Sequence, residues 1–450
     1  MLEEKSGGIA VVQLPSFTGE GYGDWFILNQ AKIKKGRDQQ EIKMTKFFSR
    51  STPRMLPTAV IAAVMTVGLP LHAAHAEDVA IGVFVPTTGV LSPLGNDMKN
   101  GIELAAKGAK VKGQPVKLFI EDTAANPASG LRKAQKLVFE DNVKLLIGGT
   151  SSAVTLGLGA QAARLNVPII TTNAQAVQIT GEQCNKLVFR TVPHDGNSAK
   201  GLAAMFEQRK DLLAKKWFVV YHDYAYGLSN KAQFAKIPNI KIAGEAGRPV
   251  GTADWSSAIA QIQSSDADGV YLALAVGDDL ASFVNQVRGY GIDFPLLTPV
   301  GIPDTMLQAL GDNAVGMMAG GLTASWMQED TNPKIAQLVK DYYEAYGMVP
   351  GYQAIQAYAG MQFTLAAMNA AKDLSTDSLV KSLETVAADT VVGKLKIRAQ
   401  DHQGMQGSYV AEAVKLSEPR YGATVGWKTM LHLTWDQIDL GPTATGCKGL

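Results

Sequence analysis

The feature that most constrains the fold is a regular alternation of short apolar runs and amphipathic stretches from residue 79 onward. Runs such as VAIGVFVP (79–86), VKLFIED (116–122) and VPIITTN (167–173) have the length and apolar character of buried strands. Helical patterns separate them, for example at 100–109 and 130–141. Strands that alternate with helices predict βαβ units, and therefore an α/β fold built on parallel sheets.

A second series of the same kind begins near residue 195, and no short repeat or low-complexity linker interrupts it. Two long helical patterns follow at 331–347 and 352–372, and a final pair of strands is predicted at 394–401 and 408–416. Two similar α/β halves are the expected architecture. Binding sites in open α/β sheets lie beyond the carboxyl ends of the strands. The strands predicted in the second series lie at 217–223, 269–275 and 295–300.

The first 76 residues are predicted to lie outside this fold. Basic residues precede an apolar run at 55–71, and Ala-His-Ala at 74–76 has the form of a cleavage site. We expect a signal peptide over 44–76, cleaved after Ala76, and hence export. Residues 1–43 precede a complete signal and are treated as an upstream extension without function.

The composition favours a packed protein without strong charge. Of the 450 residues, 46% are hydrophobic and 18% charged, and the formal net charge is +1. A near-neutral balance gives no argument for nucleic acid or an anionic membrane as partner. The two cysteines, Cys184 and Cys447, favour one disulfide in an exported chain over two free thiols.

Polar residues follow two neighbouring predicted strands at their carboxyl ends. In KLLIGGTSSAV (144–154), Ser151 and Ser152 come where a helix begins, and TTNAQA (171–176) repeats this arrangement at the end of the next strand. Hydroxyl groups and free N–H groups at such a position can bind an anion such as a carboxylate. The alternative for each is simple helix capping, for which Ser, Thr and Asn are also preferred.

Several stretches in their order resemble a known family. IGVFVPTTGVLSPLGNDMKNGIELA, IGGTSSAVT, VPIITTNAQA, VFRTVPHD, VYHDYAYG and DHQG are similar to the leucine/isoleucine/valine-binding class of periplasmic solute-binding proteins of ABC importers. The resemblance implies the type I periplasmic binding protein fold: two Rossmann-like lobes with parallel sheets, joined by a hinge of three crossovers that closes over a ligand. The lobes expected are 77–194 plus 324–394, and 195–323 plus 395–450.

The resemblance also implies a set of ligand-binding residues. Ser152 takes the place of the hydroxyl that binds a ligand carboxylate, and Tyr226 that of the residue from the second lobe that meets the ligand on closure. The loop after the next strand contributes three positions, and the remaining positions form walls. The ligand-binding residues expected are Leu94, Ser151, Ser152, Asn173, Ala174, Gln175, Tyr226, Ala275 and Val300.

One position departs from the family pattern. Leucine binders have a Glu that neutralises the ligand ammonium group where this chain has Val300, in LTPVG. Burying an ammonium group without a counter-charge costs several kcal/mol. The expected ligand is therefore a small apolar carboxylate, either an aromatic acid or a branched 2-oxo acid. If Asp278 or Asp279 supplies the charge instead, a branched-chain amino acid remains the alternative, and an amide is a further one.

Other classes of function have weaker support. Gly149 to Ala153 is close to the G-x-S-x-G motif of a serine hydrolase, with Ser151 as nucleophile, but no oxyanion segment is recognisable. No phosphate-binding motif and no metal-ligand spacing is present. We expect a monomeric binding protein of the periplasm that is not an enzyme, with no cofactor, no metal and no nucleic acid. Its partners would be the small ligand and a membrane permease; a sensor that signals through a separate partner is a further alternative.

Two more residues lie near the expected cleft. His222, at the end of a predicted strand, is expected to form a hydrogen-bonded pair with Asp223. Trp326, close to the second crossover, is expected either at the edge of the cleft or packed in the hinge.

Overall fold

A computed structural model describes residues 78–275, 277–322 and 324–450. The predicted signal peptide and the extension before it lie outside the described residues. The strands are β1 (Val79–Val85), β2 (Lys110–Val111), β3 (Gln114–Asp122), β4 (Leu146–Gly148), β5 (Ile169–Thr171), β6 (Val188–Arg190), β7 (Lys216–His222), β8 (Lys241–Arg248), β9 (Gly269–Ala273), β10 (Leu296–Thr298), β11 (Met318–Leu322), β12 (Ala387–Thr390), β13 (Gly393–Arg398), β14 (Gln403–Gly404), β15 (Ser408–Arg420) and β16 (Ala423–Leu433).

The helices alternate with these strands as the sequence pattern predicts. Short 3₁₀ helices add Val177–Ile179, Gly311–Ala314 and Trp326–Asp330. The α-helices are α1 (Ser92–Ala106), α2 (Pro127–Phe139), α3 (Ser152–Gly159), α4 (Ala162–Leu165), α5 (Asp195–Gln208), α6 (Lys210–Leu213), α7 (Ala225–Phe234), α8 (Ser256–Ser264), α9 (Asp278–Gly289), α10 (Asp304–Leu310), α11 (Pro333–Tyr346), α12 (Tyr352–Ala370), α13 (Thr376–Thr385), α14 (Trp435–Ile438) and α15 (Gly441–Thr445).

The strands form two mixed sheets with parallel centres, which confirms the predicted fold class. The first sheet has the order β12-β13-β14-β6-β5-β4-β1-β3-β2, and the second has the order β16-β15-β11-β10-β9-β7-β8. Strands β3, β1, β4, β5 and β6 are mutually parallel, as are β11, β10, β9, β7 and β8. Antiparallel strands are added only at the edges. We call the elements built on the two sheets the first half and the second half.

The chain passes between the sheets three times: between β6 and β7, between β11 and β12, and between β14 and β15. The first two passages agree with the predicted positions. The third lies between 404 and 408 instead of near 395, because β13 and β14 pair within the first sheet. The two strands predicted as a final pair therefore lie in different sheets, and the partner of β15 is β16.

Three strands of the second sheet were missed in the sequence because none of them has a continuous run of large apolar side chains. β8 has the sequence KIAGEAGR and is mostly half-buried or exposed, since it forms an edge of the sheet. β16 forms the opposite edge and mixes exposed and buried positions. β11 is rich in glycine, with the sequence MAGGL. Edge strands lack the continuous apolar run that marks a central parallel strand.

Helices cover both faces of each sheet. α1 and α12 pack against each other on one face of the first sheet, and α2 and α3 lie on the other. The second half has two apolar clusters in the same way. Leu94 of α1 and Tyr352 of α12 belong to the first half but pack into the apolar cluster that surrounds Val300 and Ile302. The two halves are therefore in contact along an apolar seam.

The predicted disulfide joins Cys184 to Cys447. Cys184 precedes β6 of the first sheet, and Cys447 ends a segment that follows β16 of the second sheet. Arg398 binds both carboxylate oxygens of Asp439 in the same region, at 2.7 and 2.8 Å. The C-terminal segment is thus fastened to the first half by a covalent bond and an ion pair. Within the described residues, no helix is long and apolar enough to span a membrane.

The contact between α1 and α12 gives a test of the packing. A Cβ atom at Gly101 would lie 2.3 Å from the carbonyl oxygen of Ala354, so Gly101→Ala forces the two helices apart. We expect the free energy of unfolding to fall by about 1–3 kcal/mol, the usual cost of overpacking. Urea unfolding measures this change.

Gly289→Ala is the matched control, because Gly289 lies at the end of α9 and no atom would crowd its Cβ. That variant should be as stable as the wild type or slightly more stable, as the higher helix propensity of Ala dictates. An equal effect of both substitutions would contradict the packing described.

Candidate functional site

A cavity lies at the seam between the two halves, at the carboxyl ends of the parallel strands. Its volume is about 20 Å³, which is enough for a single water molecule. The two halves are therefore closed on each other here. The cavity is lined by Leu91, Leu94, Thr150, Asn173, Gln175, Tyr224, Tyr226, Ala275, Val300 and Tyr352.

Six of the nine residues expected at the ligand line this cavity. They come from segments far apart in the chain, which the two sheets bring to one edge. The loops after β9 and β10 each contribute one wall. The six are Leu94, Asn173, Gln175, Tyr226, Ala275 and Val300.

Ser151, Ser152 and Ala174 do not line the cavity. The Ser151 hydroxyl caps α3 by accepting a hydrogen bond from the N–H of Val154 at 3.4 Å. The Ser152 hydroxyl accepts one from the N–H of Ala176 at 3.2 Å and is buried. Both hydroxyls therefore hold the local backbone, which is the capping alternative in the case of Ser151.

Thr150 occupies the wall position next to these serines. Its hydroxyl donates to Sδ of Met98 at 3.0 Å. A thioether is a weak acceptor, so this hydroxyl can turn to a stronger one. The sequence did not single it out because Thr150, Ser151 and Ser152 have the same chemistry.

Arg190 holds the loop after β5 in place through hydrogen bonds to its main chain. This fully buried guanidinium donates to the carbonyl oxygens of Ala176 at 2.8 Å and Ala174 at 3.4 Å, and to Oε1 of Gln403 at 2.8 Å. Burial lowers the pKa of Arg190 to about 10, so it stays charged at neutral pH. The main chain of Asn173, Ala174 and Gln175 is thereby fixed at the cavity wall.

Two polar side chains of the cavity lack hydrogen-bond partners among the described residues. Oε1 of Gln175 and the hydroxyl of Tyr226 are both buried without one. Burial raises the pKa of Tyr226, so its hydroxyl keeps its proton and can donate it. Asn173, in contrast, is engaged, because its Nδ2 donates to Oε1 of Gln356 at 3.1 Å.

None of the residues that line the cavity is charged. Asp278 is exposed at the start of α9. Asp279 is buried, but its Oδ2 accepts a hydrogen bond from the N–H of Gly251 at 2.6 Å and lies 3.1 Å from Nε2 of His222. Neither acid therefore supplies a counter-charge at the cavity wall.

His222 pairs with Asp279 and not with Asp223, because successive side chains at a strand end point in opposite directions. Its other ring nitrogen, Nδ1, accepts a hydrogen bond from the N–H of Ala275 at 2.8 Å. The buried imidazole consequently fixes the position of Ala275, one wall of the cavity. Trp326 is fully buried and packs among residues of α11 and α12, which favours the second of the two positions expected for it over the edge of the cleft.

Four lining residues were missed in the sequence. Thr150 directly precedes Ser151, and Tyr224 lies two residues before Tyr226, so closeness in sequence to expected residues was the available signal. Leu91 precedes α1 by one residue. Tyr352 begins α12, more than 250 residues away from Leu94, and no local pattern indicates that they meet.

The geometry does not support the hypothesis that Ser151 is the nucleophile of a hydrolase. The Ser151 hydroxyl is engaged with the backbone of its own helix. The histidines in the described part of the chain contact other groups: His194 accepts from Asn197, His222 from Ala275, His402 contacts Glu384, and His432 stacks on Tyr409.

Comparison with known proteins identifies the family. A family model described as periplasmic binding protein matches residues 78–418, and the chain belongs to this family. The Leu/Ile/Val-binding protein homolog 8 of Brucella abortus (strain 2308) is 28% identical over 340 residues, which cover 70% of this chain and 83% of the relative.

Solved structures agree on the fold. A periplasmic binding protein from Burkholderia mallei has a TM-score of 0.76 at 24% identity, with 83% of this chain and 99% of that chain covered. A solute-binding protein of an ABC transporter from R. palustris, in complex with benzoate, has a TM-score of 0.71 at 22% identity, with 83% and 100% covered. These identities support the fold alone.

The role found for Ser152 leads to a prediction about stability. Ser152→Ala leaves the buried N–H of Ala176 without its acceptor, and we expect the free energy of unfolding to fall by about 1–3 kcal/mol. Urea unfolding checks this value. Ser264→Ala, at an exposed position in α8, should change stability by less than about 0.5 kcal/mol. A Ser152→Ala variant as stable as the control would show that this hydrogen bond is dispensable.

Proposed function

We propose that this protein is the substrate-binding component of an ABC importer and that it captures a small apolar carboxylate, an aromatic acid or a branched 2-oxo acid. The exported chain, cleaved after Ala76, would act as a periplasmic monomer and deliver this ligand to a membrane permease. The observation that carries the ligand class is a cavity with apolar walls and neutral hydrogen-bonding groups, lined by no charged side chain.

The walls favour an apolar body in the ligand. Leu91, Leu94, Ala275 and Val300 provide aliphatic surface, and Tyr224 adds an aromatic ring. An α-amino acid would bring an ammonium group into this surface. Burying that group without a carboxylate beside it costs several kcal/mol.

Neutral donors support the binding of a carboxylate. The hydroxyls of Thr150 and Tyr226 line the cavity, and hydrogen bonds from neutral donors stabilise the ionised form of a carboxylate. Thr150 directly precedes the N-cap of α3, and the first N–H groups of a helix have no acceptor within it. The positive end of that helix therefore lies next to the cavity.

The contracted cavity fits a closing mechanism. A ligand the size of benzoate needs far more room than one water molecule, so the halves must separate and then close around it. The relative from R. palustris is bound to benzoate, which supports the aromatic acid. The name of the Brucella relative, a Leu/Ile/Val-binding protein homolog, supports the amino-acid alternative.

A thermal-shift screen separates these ligands. We expect benzoate and 4-methyl-2-oxopentanoate to raise Tm, because a ligand present at about 100 times its Kd stabilises the folded state by about 2.7 kcal/mol. Leucine should give no shift, since the cavity offers its ammonium group no counter-charge. Val300→Glu should reverse this preference. A shift with leucine and none with the two acids would overturn the proposed ligand class.

Tyr226→Phe tests whether the unpaired hydroxyl serves the ligand. Removing a hydroxyl without a partner should leave the free energy of unfolding unchanged or slightly higher. The affinity for benzoate should fall by about 1–3 kcal/mol if this hydroxyl donates to the carboxylate. Calorimetric titration measures the affinity. Tyr290→Phe, at an exposed position, is the control that should bind as the wild type does.

A further inference from the structure

A second cavity, of about 190 Å³, lies at the same seam. It is separate from the candidate ligand cavity and is bordered by α1 of the first half, by the start of α10 of the second half and by the loop before α12. One carboxylate from each half faces it, Asp97 from α1 and Asp304 from α10.

Asp97 is held in place by neutral groups. Its Oδ1 accepts a hydrogen bond from the hydroxyl of Tyr342 at 2.7 Å, and its Oδ2 accepts one from the N–H of Ala354 at 3.2 Å. Asn100 donates to the same Tyr342 hydroxyl at 3.3 Å. These partners all belong to the first half.

Asp304 lies opposite and is almost completely buried, with 3% of its surface exposed. Its Oδ1 accepts a hydrogen bond from the indole N–H of Trp326, the residue next to the second passage between the sheets. Asp304 is thus tied both to the second half, through α10, and to the hinge region.

Neither acid has a cationic partner among the described residues. Lys99, on the same helix as Asp97, pairs with Glu103. The guanidinium of Arg420 lies 5.6 Å from the ring of Trp326, but it is paired with Glu329 and Asp330.

The other groups that face the acids do not compensate them either. Besides Asp304, the titratable groups that interact electrostatically with Asp97 include Tyr342 of α11 and Tyr352 of α12. Burial raises the pKa of both phenols, so they remain neutral. The loop from Met348 to Gly351 carries no charge. Two acids therefore face each other across the seam without a cation.

Both carboxyl groups hold protons more tightly than usual. Burial raises the pKa of Asp97 from 3.8 to about 6. Burial, and in addition the charge of Asp97, raises the pKa of Asp304 from 3.8 to about 7.

The two cavities share their walls. Leu94 and Asp97 lie on α1, and Val300 and Asp304 lie on the segment that leads into α10. Tyr352 and Gly351 are adjacent at the start of α12. In each pair, the first residue faces the candidate ligand cavity and the second faces the acidic cavity. A movement that opens one seam cavity must therefore open the other.

We propose that Asp97 and Asp304 act as a proton-sensitive contact between the two halves, which opposes closing when both are ionised and permits it when they are protonated. This inference deepens the proposed function and rests on it in one respect: closing is the step that captures the ligand. Lower pH would then favour capture, and higher pH would favour release.

The direction of the pH effect on closing follows from the number of protons that each form binds. Opening the seam hydrates both carboxyl groups and separates them, so each returns toward its ordinary pKa of 3.8. The closed form consequently binds more protons than the open form between about pH 4 and pH 7. The closing equilibrium shifts toward the closed form as pH falls, by up to about tenfold per pH unit for each proton taken up.

Small-angle X-ray scattering of the purified protein without ligand, at pH 8 and pH 5, tests the contact itself. We expect the radius of gyration of the wild type to be larger at pH 8 than at pH 5. Asp304→Asn and Asp97→Asn, which remove one charge each, should be as compact at pH 8 as the wild type is at pH 5. Asp278→Asn, at an exposed position of α9, is the matched control and should behave as the wild type.

The wild type and the three variants have all other buried acids in common. Asp195, whose pKa burial raises to about 7, titrates in the same range, so the comparison between variants at pH 8 isolates the pair at the seam. If a variant does not fold, a ¹³C NMR titration of the aspartate carboxyl groups in the wild type takes its place. The contact is supported if the variant that folds lacks one group that titrates in the wild type, near pH 6 for Asp97→Asn or near pH 7 for Asp304→Asn. It is overturned if no titration near these values is lost.

The proposal is overturned if the wild type has the same radius of gyration at both pH values. It is also overturned if both variants keep the pH dependence of Asp278→Asn. Calorimetric titration with benzoate at the same pH values separates the two proposals: a pH-dependent compaction with no benzoate binding at either pH supports the contact and counts against the proposed ligand class.

Discussion

The buried guanidinium of Arg190 is the interaction on which the candidate site depends. Loops beyond the ends of parallel strands expose carbonyl oxygens that the sheet ladder does not satisfy, and buried carbonyls without donors are costly. Arg190 supplies donors to Ala174 and Ala176 and at the same time binds Gln403 on β14. One side chain therefore fixes the cavity loop relative to the last strand before the chain passes to the second sheet. The cost of burying its charge is offset by these hydrogen bonds.

Part of the seam between the halves is well packed and hydrogen-bonded, and another part contains polar atoms without hydrogen-bond partners. Leu94 and Tyr352 complete an apolar cluster of the opposite half, and the N–H of Val177 donates across the seam to the hydroxyl of Ser229 at 3.3 Å. Gln175 and Tyr226, in contrast, keep polar atoms without partners. A closed state with unmet polar groups is less stable than one in which a ligand supplies the missing partners, so ligand binding and closing reinforce each other.

The sequence was informative wherever a local pattern carries the signal. Alternating apolar runs predicted the α/β class, and polar residues after two neighbouring strands indicated the edge of the sheet where the cavity lies. The assignment of Asn173 and Gln175 as ligand-binding residues came from the resemblance to the family. Contacts between residues far apart in the chain have no local sequence pattern, because they depend on the assembled sheets. Examples are the pairing of β13 within the first sheet, the contact of Tyr352 with Leu94, and the pairing of His222 with Asp279. Ser152 illustrates a different limit, because a hydroxyl at a helix start serves a ligand or the backbone equally well, and only the geometry shows that it accepts from Ala176.

The distribution of charge at the seam links the two cavities. The candidate ligand cavity has no charged wall, while Asp97 and Asp304 face the neighbouring cavity from two of the three segments that border both cavities. A carboxylate ligand would add a third negative charge close to these acids and raise the cost of their ionisation. Binding would then take up protons, and by reciprocity protonation would strengthen binding. A neutral ligand would lack this direct electrostatic coupling and would respond to pH only through closing, so the strength of the pH dependence itself carries information on the charge of the ligand.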